Sequence, residues 1–510
     1  MRTVELPDSA PLAEYEAWTH LVGEVRALRA EAQRLTAELA GRRVWMVNST
    51  ETGGGVAEML PKMIALMRAL GLETHWAVLE TREPRFFAVT KRLHNLIHDL
   101  GDPSFDDADR EIYARVNREN FQKFAKLLHP SDVVIVHDPQ PALLGALVRR
   151  ELGNTFVWRC HIGLDKATER TNAAWSFLRP HLEEADQAVF SAADYIPDFL
   201  KGRSSIIHPA IDPLSPKNRE FSPRKVQGIL CNARLATEYA PVLYPPYGSP
   251  ALRLSPAGEW RPANELDEIG LLFRPIVTQI SRWDRLKGFG PLLDAFVRLK
   301  RKASSRGLSD LHRRRLQIMR LILAGPDPRS VEDDPEGKEL LGELTARFLA
   351  LSPEVQKDIA LIVLPMESRA ENAYMVNAIQ RCSTVVVQNS IQEGFGLTVT
   401  EAMWKRVAVV GSSAVGIRQQ IRNGVDGVLV SDPRNVEELA ATLDQILHDP
   451  LRRGYLAGNA QQRVYDEFLV FAQVRSWLRT LVSVTHAAQA RRGTPRVRAE
   501  ERSRAGRTSA

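Results

Sequence analysis

Two glutamates that lie eight positions apart, Glu393 and Glu401, flank a glycine-containing turn that could hold a phosphorylated sugar. Gly394 and Gly396 allow the backbone to approach a ligand closely, and the free N–H groups of a helix that begins near Leu397 would favour an anion. A carboxylate on each side of such a turn can accept hydrogen bonds from sugar hydroxyls. Taken alone, however, the pair is more typical of an ordinary loop–helix junction with Glu401 in solvent.

Two cations follow a predicted strand in the same half of the chain. The apolar run 276–280 ends at Ser281 and Arg282, and Lys287 comes after a turn. Negative charge grows on a nucleoside diphosphate as it leaves a sugar, and an Arg and a Lys converging from one loop would stabilise that charge. The strand 384–388 leads into the Glu393 loop, which places that loop at a strand's carboxyl edge. The plainer alternative is that both cations are surface charges.

Histidines follow two apolar strands in the first half of the chain. The run 133–136 is followed by His137 and Asp138, and the run 156–160 by His161. Open α/β sheets bind ligands just beyond the carboxyl ends of their strands, so these residues are candidates for an acceptor-binding site. Each histidine taken singly is more often structural or solvated. Polar clusters at two successive strand ends favour a site.

A glycine loop joins the strand 44–47 to an amphipathic helix that starts near Val56. Gly53, Gly54 and Gly55 do not form the dinucleotide-binding GxGxxG pattern, and three glycines alone are weak evidence. A strand, a glycine loop and a helix nevertheless form a place where backbone N–H groups can meet an anion or a sugar hydroxyl.

Length and composition limit the class of protein. A chain of 510 residues predicts two domains of Rossmann size with extensions. The net charge of +6 comes mostly from residues 491–510, which hold seven Arg and two Glu, so the rest is nearly neutral. Three scattered cysteines, a non-basic N-terminus and the lack of a long apolar run predict a cytoplasmic protein that does not enter a membrane.

The apolar and proline patterns predict six segments. They are a helical extension (1–42), a first Rossmann-like domain (43–218), a Pro-rich linker or insertion without regular structure (219–272), a second Rossmann-like domain (273–457), a C-terminal helix (458–487) and a basic disordered tail (488–510). The extension reads as one helix over 11–41, and its apolar stripe is expected to pack on the chain's own first domain. A homodimer built on this helix is the alternative.

Several stretches, together with the paired glutamates, carry a family resemblance. They are Val47-Asn48-Ser49-Thr50, Gly53-Gly54-Gly55-Val56-Ala57-Glu58, His137-Asp138-Pro139-Gln140-Pro141, Trp158-Arg159-Cys160-His161-Ile162, Ile211-Asp212-Pro213-Leu214-Ser215 and Ser281-Arg282-Trp283-Asp284 with Lys287-Gly288. The chain resembles the trehalose-forming glycosyltransferases and trehalose phosphorylases, which are retaining enzymes with two Rossmann-like domains facing across a cleft (the GT-B architecture). The resemblance runs from about residue 43 to about residue 468 and is weak or absent in 219–272. It also implies that the C-terminal helix (458–487) crosses back to the first domain, as it does in similar enzymes.

The resemblance implies a transfer of glucose from a nucleoside diphosphate glucose to glucose, without a required metal or other cofactor. It assigns catalysis to His161, Arg282, Lys287 and Glu393, donor binding to Gly394, Phe395, Gly396, Leu397, Thr398 and Glu401, and acceptor binding to Asn48, Gly54, Gly55, His137 and Asp138. Glu393 would hold glucosyl hydroxyls and Glu401 the ribose. His161 would lie near the reacting carbon, and Asp138 would bind acceptor hydroxyls.

Two departures from the family pattern and three rival functions stay open. Similar enzymes tend to carry an acidic residue at the position of Gly163, and a Gly-Gly pair before Ile where this chain has Ala414-Val415-Gly416-Ile417. The rivals are a trehalose phosphorylase, a transferase with another acceptor and, in a different class, a non-catalytic protein that binds nucleic acid through its Arg-rich tail. The tail's charge does not extend into the body, so we expect small-molecule sugar partners and no specific nucleic acid.

Overall fold

A computed structural model of the chain describes residues 1–6, 12–51, 55–237, 247–330 and 335–493, and it contains two compact units. One unit comprises Met1–Ile207 and the chain from Val474 onward, and the other comprises His208–Gln473. Each is built on a mainly parallel sheet with helices between its strands. The predicted class, α/β with two doubly wound Rossmann-like domains, is confirmed. No helix in the described ranges is long and apolar enough to span a membrane.

The sheet of the first unit has seven strands. They are β1 Arg2–Val4, β2 Val44–Asn48, β3 Thr74–Val78, β4 Val133–His137, β5 Thr155–Cys160, β6 Gln187–Phe190 and β7 Ser204–Ile206. Their order is β1-β3-β2-β4-β5-β6-β7, and only β1 is antiparallel to its neighbour. The strand order reverses between β2 and β4, so the residues that end these strands border the crevice in which such sheets bind ligands.

In the described ranges, seven α-helices of the first unit precede or connect these strands. They are α1 Leu12–Glu16, α2 Val22–Glu38, α3 Gly55–Ala69, α4 Pro84–Ile97, α5 Asp107–Phe124, α6 Ala142–Leu147 and α7 Glu169–Leu182. The side chains of Asp106 and Thr168 cap α5 and α7 through reciprocal capping boxes, which satisfy N–H groups that have no partner inside a helix.

The second unit contains an eight-stranded sheet. Its strands are β8 Leu252–Leu254, β9 Trp260–Pro262, β10 Ile276–Ile280, β11 Arg320–Pro326, β12 Ile359–Leu364, β13 Val385–Gln388, β14 Ala408–Ser412 and β15 Val428–Val430. The order is β15-β14-β13-β10-β11-β12-β8-β9, with β8 and β9 antiparallel at one edge. The order reverses between β10 and β13, which brings the Lys287 loop beside the Glu393 loop.

The helices of the second unit cover both faces of its sheet. They are α8 Pro223–Asn232, α9 Phe289–Lys302, α10 Asp310–Ile318, α11 Pro335–Leu349, α12 Pro353–Gln356, α13 Arg369–Cys382, α14 Leu397–Trp404, α15 Val415–Arg418, α16 Val436–His448 and α17 Pro450–Arg463. Buried side chains form one core with α9 and α16 and another with α8 and α13. The last helix, α18, spans Val470–Gly493, and its residues from Val474 onward belong to the first unit.

The N-terminal extension differs from the predicted single helix. Its described residues form the short helix α1, a turn and the longer helix α2, and they are preceded by the edge strand β1. Three residues are too few to show a strand periodicity, so the sequence contains no signal for β1. The apolar stripe of α2 is buried within the single chain, as expected, at Val25, Leu28, Ala32 and Leu35.

The Pro-rich stretch 219–272 contains regular structure, contrary to the prediction. Pro223 occupies the first turn of α8, where its missing N–H costs no hydrogen bond, and Ser222 caps the helix. Pro262 ends the edge strand β9. The prediction treated prolines as general breakers and overlooked these two tolerated positions. Residues 238–246, with Pro241, lie outside the described ranges.

The C-terminal helix α18 begins at Val470, so it starts and ends later than the predicted segment 458–487. It continues to Gly493, so the first residues of the predicted disordered tail are helical. Arg491, which the sequence places in that tail, forms an ion pair with the buried carboxylate of Asp186 at 3.2 Å. Residues 494–510 lie outside the part of the chain that the structure describes.

Candidate functional site

Two histidines meet at the strand-order reversal of the first unit. Nδ1 of His137, at the end of β4, lies 3.0 Å from Nε2 of His161, which follows β5, and their rings stack at 5.3 Å. Nε2 of His137 also lies 3.5 Å from the thioether of Met46 in β2. The parallel register of three neighbouring strands therefore brings together residues that are 24 positions apart in the chain.

Burial, with a smaller contribution from the charge of Arg159, lowers the pKa of His137 to about 3 and holds the pKa of His161 well below its usual value. Both rings are therefore neutral near pH 7. A thioether can only accept a hydrogen bond, so Nε2 of His137 carries its proton and Nδ1 accepts one from Nε2 of His161. That tautomer presents Nδ1 of His161 as a hydrogen-bond acceptor.

Asp138 fixes the loop that carries His161. Its Oδ1 accepts a hydrogen bond from the backbone N–H of His161 at 2.9 Å, and its own N–H donates to the carbonyl of Arg159 at 2.8 Å. Its φ of 62° lies in the left-handed region, which Asp and Asn tolerate better than most residues. Burial raises the pKa of the Asp138 carboxyl to about 6.

The remaining acceptor residues predicted from the sequence are less well placed. Asn48 ends β2 at the same sheet edge, but its amide is occupied, because it accepts from Trp76 Nε1 at 2.8 Å and donates to the Thr50 carbonyl at 2.6 Å. Gly55 begins α3, and Gly54 lies outside the described residues.

Arg159 is a buried charge beneath this site that the sequence interpretation did not single out. Its side chain donates to the Ile207 carbonyl at 2.7 Å and to Ser191 Oγ at 3.2 Å, while Nε and Nη1 have no partner among the described residues. Burial lowers the pKa of this guanidinium to about 10. A charged residue inside the apolar strand β5 was the available sequence signal.

A lysine and a glutamate meet at the strand-order reversal of the second unit. Nζ of Lys287 donates to Oε2 of Glu393 at 2.7 Å, and both side chains are 13% exposed. The pair joins the loop after β10 to the loop after β13. The sequence predicts both residues in the site but does not predict that they bond to each other.

Buried amides and hydroxyls around this pair were missed by the sequence interpretation. Gln388 accepts from Ser281 Oγ at 3.2 Å and donates to Ser390 Oγ at 2.9 Å, and Ser390 donates to Glu393 at 3.0 Å. Gln279 Nε2 donates to the Lys287 carbonyl at 2.7 Å. Polar residues inside otherwise apolar strands were the signal, because a buried amide is retained only where it is hydrogen-bonded.

Arg282 is mostly in solvent. Its side chain is 71% exposed and lies 3.9 Å from Asp284. The side chain is therefore accessible to a ligand.

The glycine turn opens α14 as the sequence predicts. Gly396 adopts φ 83° at the N-cap, and Leu397 and Thr398 are in the first turn, where N–H groups lack helical partners. Phe395 differs from its predicted ligand role in that its side chain is 7% exposed and its ring packs against His208 and Phe468. Its backbone, like that of Gly394, belongs to the turn.

Glu401 is buried rather than solvated, which removes the plainer interpretation of this residue. It is 6% exposed and lies 3.6 Å from Nζ of Lys217. Lys405, one helical turn on, donates to the Glu401 carbonyl at 3.0 Å, and burial lowers the pKa of Lys405 to about 7. The carboxylate of Glu401, inside α14, can accept hydrogen bonds from the two hydroxyls of a diol.

The departure at Gly163 has a packing explanation, and packing also accounts for the glycine that this chain keeps before Ile417. A Cβ on Gly163 would lie 2.2 Å from the ring of Tyr195, so no larger residue fits there. A Cβ on Gly416 would lie 2.4 Å from the Cα of Phe395. The Gly416 N–H donates to the Glu393 carbonyl at 3.2 Å, and this glycine therefore supports the glycine turn before α14 directly.

The two units match two different family models. Residues 46–197 match the family model described as "Trehalose synthase, N-terminal domain", and residues 271–463 match "Glycosyl transferases group 1". The fold is similar to those of two trehalose-phosphate synthases. The UDP-forming synthase from Burkholderia xenovorans has a TM-score of 0.58 at 16% identity, covering 86% of this chain and all of that one. The synthase from Burkholderia multivorans has 0.59 at 18%, covering 89% and 99%.

Curated relatives match nearly the whole chain. The trehalose synthase of Pyrococcus horikoshii is 32% identical over 92% of this chain and 96% of its own length. That of Rubrobacter xylanophilus is 32% identical over 93% and 97%. A trehalose phosphorylase of Pleurotus pulmonarius is more distant, at 24% identity over 86% of this chain and 56% of its own length. The chain is a glycosyltransferase and belongs to the trehalose synthase family.

Proposed function

We propose that this enzyme transfers glucose, with retention, from a nucleoside diphosphate glucose to free glucose and so forms α,α-1,1-linked trehalose. The observation that carries the proposal is the Lys287–Glu393 pair at the strand-order reversal of the second unit, in a chain that aligns with trehalose synthases over nearly all of its length.

Lys287 is suited to the departing diphosphate because an ammonium has three donors and only one is used by Glu393 in the described contacts. Negative charge on the leaving group would engage the other two, joined by the N–H groups at the start of α14 and by the accessible Arg282. Glu393, held by Ser390, would then accept from glucosyl hydroxyls. Since these groups carry positive charge themselves, we propose that no divalent cation is required.

His161 would orient the sugars without adding charge near the reacting carbon. Positive charge develops at the anomeric carbon during glycosyl transfer, and an imidazolium there would oppose it. The low pKa of His161 keeps the ring neutral, with Nδ1 able to accept from a sugar hydroxyl. Asp138, on the neighbouring loop after β4, would support the acceptor.

The proposal is tested by a coupled assay that scans nucleoside diphosphate glucoses against glucose, and inorganic phosphate against trehalose. We expect trehalose and a nucleoside diphosphate from the first arm, with equal rates before and after dialysis against EDTA. Glucose 1-phosphate from the second arm alone would overturn the proposal in favour of the phosphorylase. Transfer only to an acceptor other than glucose would keep the donor assignment and overturn the product.

A further inference from the structure

A cationic groove lies in the second unit, at the amino ends of the strands whose carboxyl ends lead to Lys287 and Glu393. It has a volume of about 730 Å³ and is bordered by Pro275, which precedes β10, and by Thr384, which precedes β13. Lys287 and Glu393 follow the carboxyl ends of these same strands, so the length of the strands separates the groove from them.

Five arginines line this groove. They are Arg274, Arg314, Arg315, Arg381 and Arg453. In the described part of the chain none of them has a carboxylate within ion-pair distance; instead their contacts are mainly with backbone oxygens. Arg453 donates to the carbonyls of Ile446 and Leu447, and Arg381 to the carbonyl of Arg219 and to Asn377 Oδ1.

No ion pair among the described residues compensates the positive charge of the groove. Burial lowers the pKa of Arg381, and burial together with the charge of Arg315 lowers the pKa of Arg453. Glu220 and Asp449 act on these two arginines only from beyond ion-pair distance. Arg274 keeps a buried Nε without a partner among the described residues, and Arg314 is exposed. A stable protein surface usually intersperses opposite charges, so five unpaired arginines around one concavity indicate an anionic ligand.

The rest of the groove is apolar. Leu272, Phe273 and Leu311 are 49%, 63% and 60% exposed, although they are large hydrophobic residues. The guanidinium of Arg274 lies over the Phe273 ring at 5.9 Å. Planar groups can stack on such a pair. The ligand is therefore expected to carry a ring as well as negative charge.

We propose that this groove binds a small phosphorylated ligand that carries a planar ring, of the nucleotide type. Guanidinium groups bind phosphate in a bidentate manner, and the volume falls within the usual range for small-molecule sites. A small ligand is favoured over an acidic protein because the arginines line a concavity and two of them are partly buried. In protein interfaces, charged groups collect at an open rim.

The test uses the full chain in a Lys287→Ala background. On the proposed function, this substitution removes an ammonium group that binds phosphate at the carboxyl ends of the strands. Inorganic tripolyphosphate and ATP are titrated by calorimetry into this parent and into two charge-matched double variants. Arg314→Glu alters the groove, whereas Arg306→Glu alters an exposed loop arginine that does not line it. Because Arg314 makes no hydrogen bond or ion pair in the described residues, folding should survive, and a thermal unfolding scan of each variant checks this.

We expect both probes to bind the parent, ATP more tightly than tripolyphosphate. Arg314→Glu should weaken both by roughly tenfold or more, the scale of one lost charge-assisted hydrogen bond, and Arg306→Glu by less than about twofold. Phe273→Ala should remove the advantage of ATP. Equal losses in the two charge variants, or no binding at about 1 mM of either probe, would overturn the proposal. So would binding of a polyglutamate peptide alone, which would identify the groove as a protein-docking surface.

Discussion

Asp138 is the residue whose ionisation should govern the acid side of the pH profile. Burial raises the pKa of its carboxyl from 3.8 to about 6, so the anion is lost as the pH falls through 6. We expect kcat/KM to fall below about pH 6 with the loss of this acceptor group. The fall should not reflect unfolding at this residue, because a group whose pKa is raised in the folded state takes up its proton there first and stabilises that state on acidification.

The matched variant is Asp138→Asn. An Asn tolerates the left-handed backbone of this position and can accept from the His161 N–H through its own oxygen. Activity should drop, and the acid-side pKa near 6 should disappear from the profile of kcat/KM. An unchanged acid limb in this variant would assign the limb to another group and remove Asp138 from the reaction.

Glu393 and Glu401 should separate in a binding experiment with a nucleoside diphosphate, which keeps the ribose and lacks the sugar. Glu401→Gln replaces a carboxylate that can grip a diol by a weaker amide and should reduce affinity by roughly ten- to a hundredfold. Glu393→Gln should not weaken binding, since it removes the anion that holds Lys287 at 2.7 Å. It should lower turnover instead, because its sugar contact acts mainly in the transition state.

Isothermal titration of both variants measures this difference, with the wild-type chain as the reference. The opposite ranking, with Glu393→Gln the weaker binder of nucleoside diphosphate, would reverse the assignment of the two carboxylates.

At the scale of elements, the turn before α14 depends on α15. Gly416 in α15 touches the backbone of Phe395, and an added Cβ would lie 2.4 Å from its Cα. Gly416→Ala should therefore displace the turn before α14. We expect the free energy of unfolding to fall by about 1–3 kcal/mol, and kcat/KM to fall by about tenfold or more because Glu393 is misplaced. Denaturant unfolding and steady-state kinetics measure the two effects.

Gly454→Ala in α17 is the control for this variant. An added Cβ there meets nothing within 4 Å, and alanine favours a helix by about 0.5–1 kcal/mol over glycine. The control should be as active as the wild type and slightly more stable. If Gly416→Ala behaved like the control, the turn would be independent of α15.

The bounds of β4 and β12 were predictable from sequence to within a residue or two, because the runs 133–136 and 359–364 are apolar throughout and bounded by turns. Because the ends of these strands were predictable, the candidate site residues that follow β4, β5, β10 and β13 could be assigned to the carboxyl ends of two sheets. What the sequence does not contain is pairing across the sheet. The Lys287–Glu393 ion pair joins residues 106 positions apart. Gln420, two residues beyond the end of α15, donates a hydrogen bond to the Gly396 carbonyl at 3.3 Å. Periodicity within one element is silent on such contacts.

At the scale of the whole molecule, the first unit is completed by the far end of the chain. The part of α18 that belongs to this unit buries Trp477, Leu478 and Leu481. Ion pairs connect it to α2, at 2.6 Å between Arg479 and Glu31 and 3.2 Å between His486 and Glu38. The pattern of a helix does not state where it packs, so the prediction that this helix crosses back came from the family resemblance. The assignment of the chain from Val474 onward to the first unit agrees with that prediction.

Two truncations test this organisation. A chain that ends at Gly493 keeps α18 with the Arg491–Asp186 ion pair and lacks only residues that the sequence predicts to be a basic tail. It should retain wild-type stability and turnover and lose any salt-sensitive binding to nucleic acid. A chain that ends at Gln473 removes three large buried side chains from the first unit, at about 2–5 kcal/mol each, and should fail to fold at 37 °C. Circular dichroism melts and the trehalose assay distinguish the two. An inactive but folded chain ending at Gly493 would make the tail part of the active enzyme, and a stable chain ending at Gln473 would show that α18 is an accessory to the first unit.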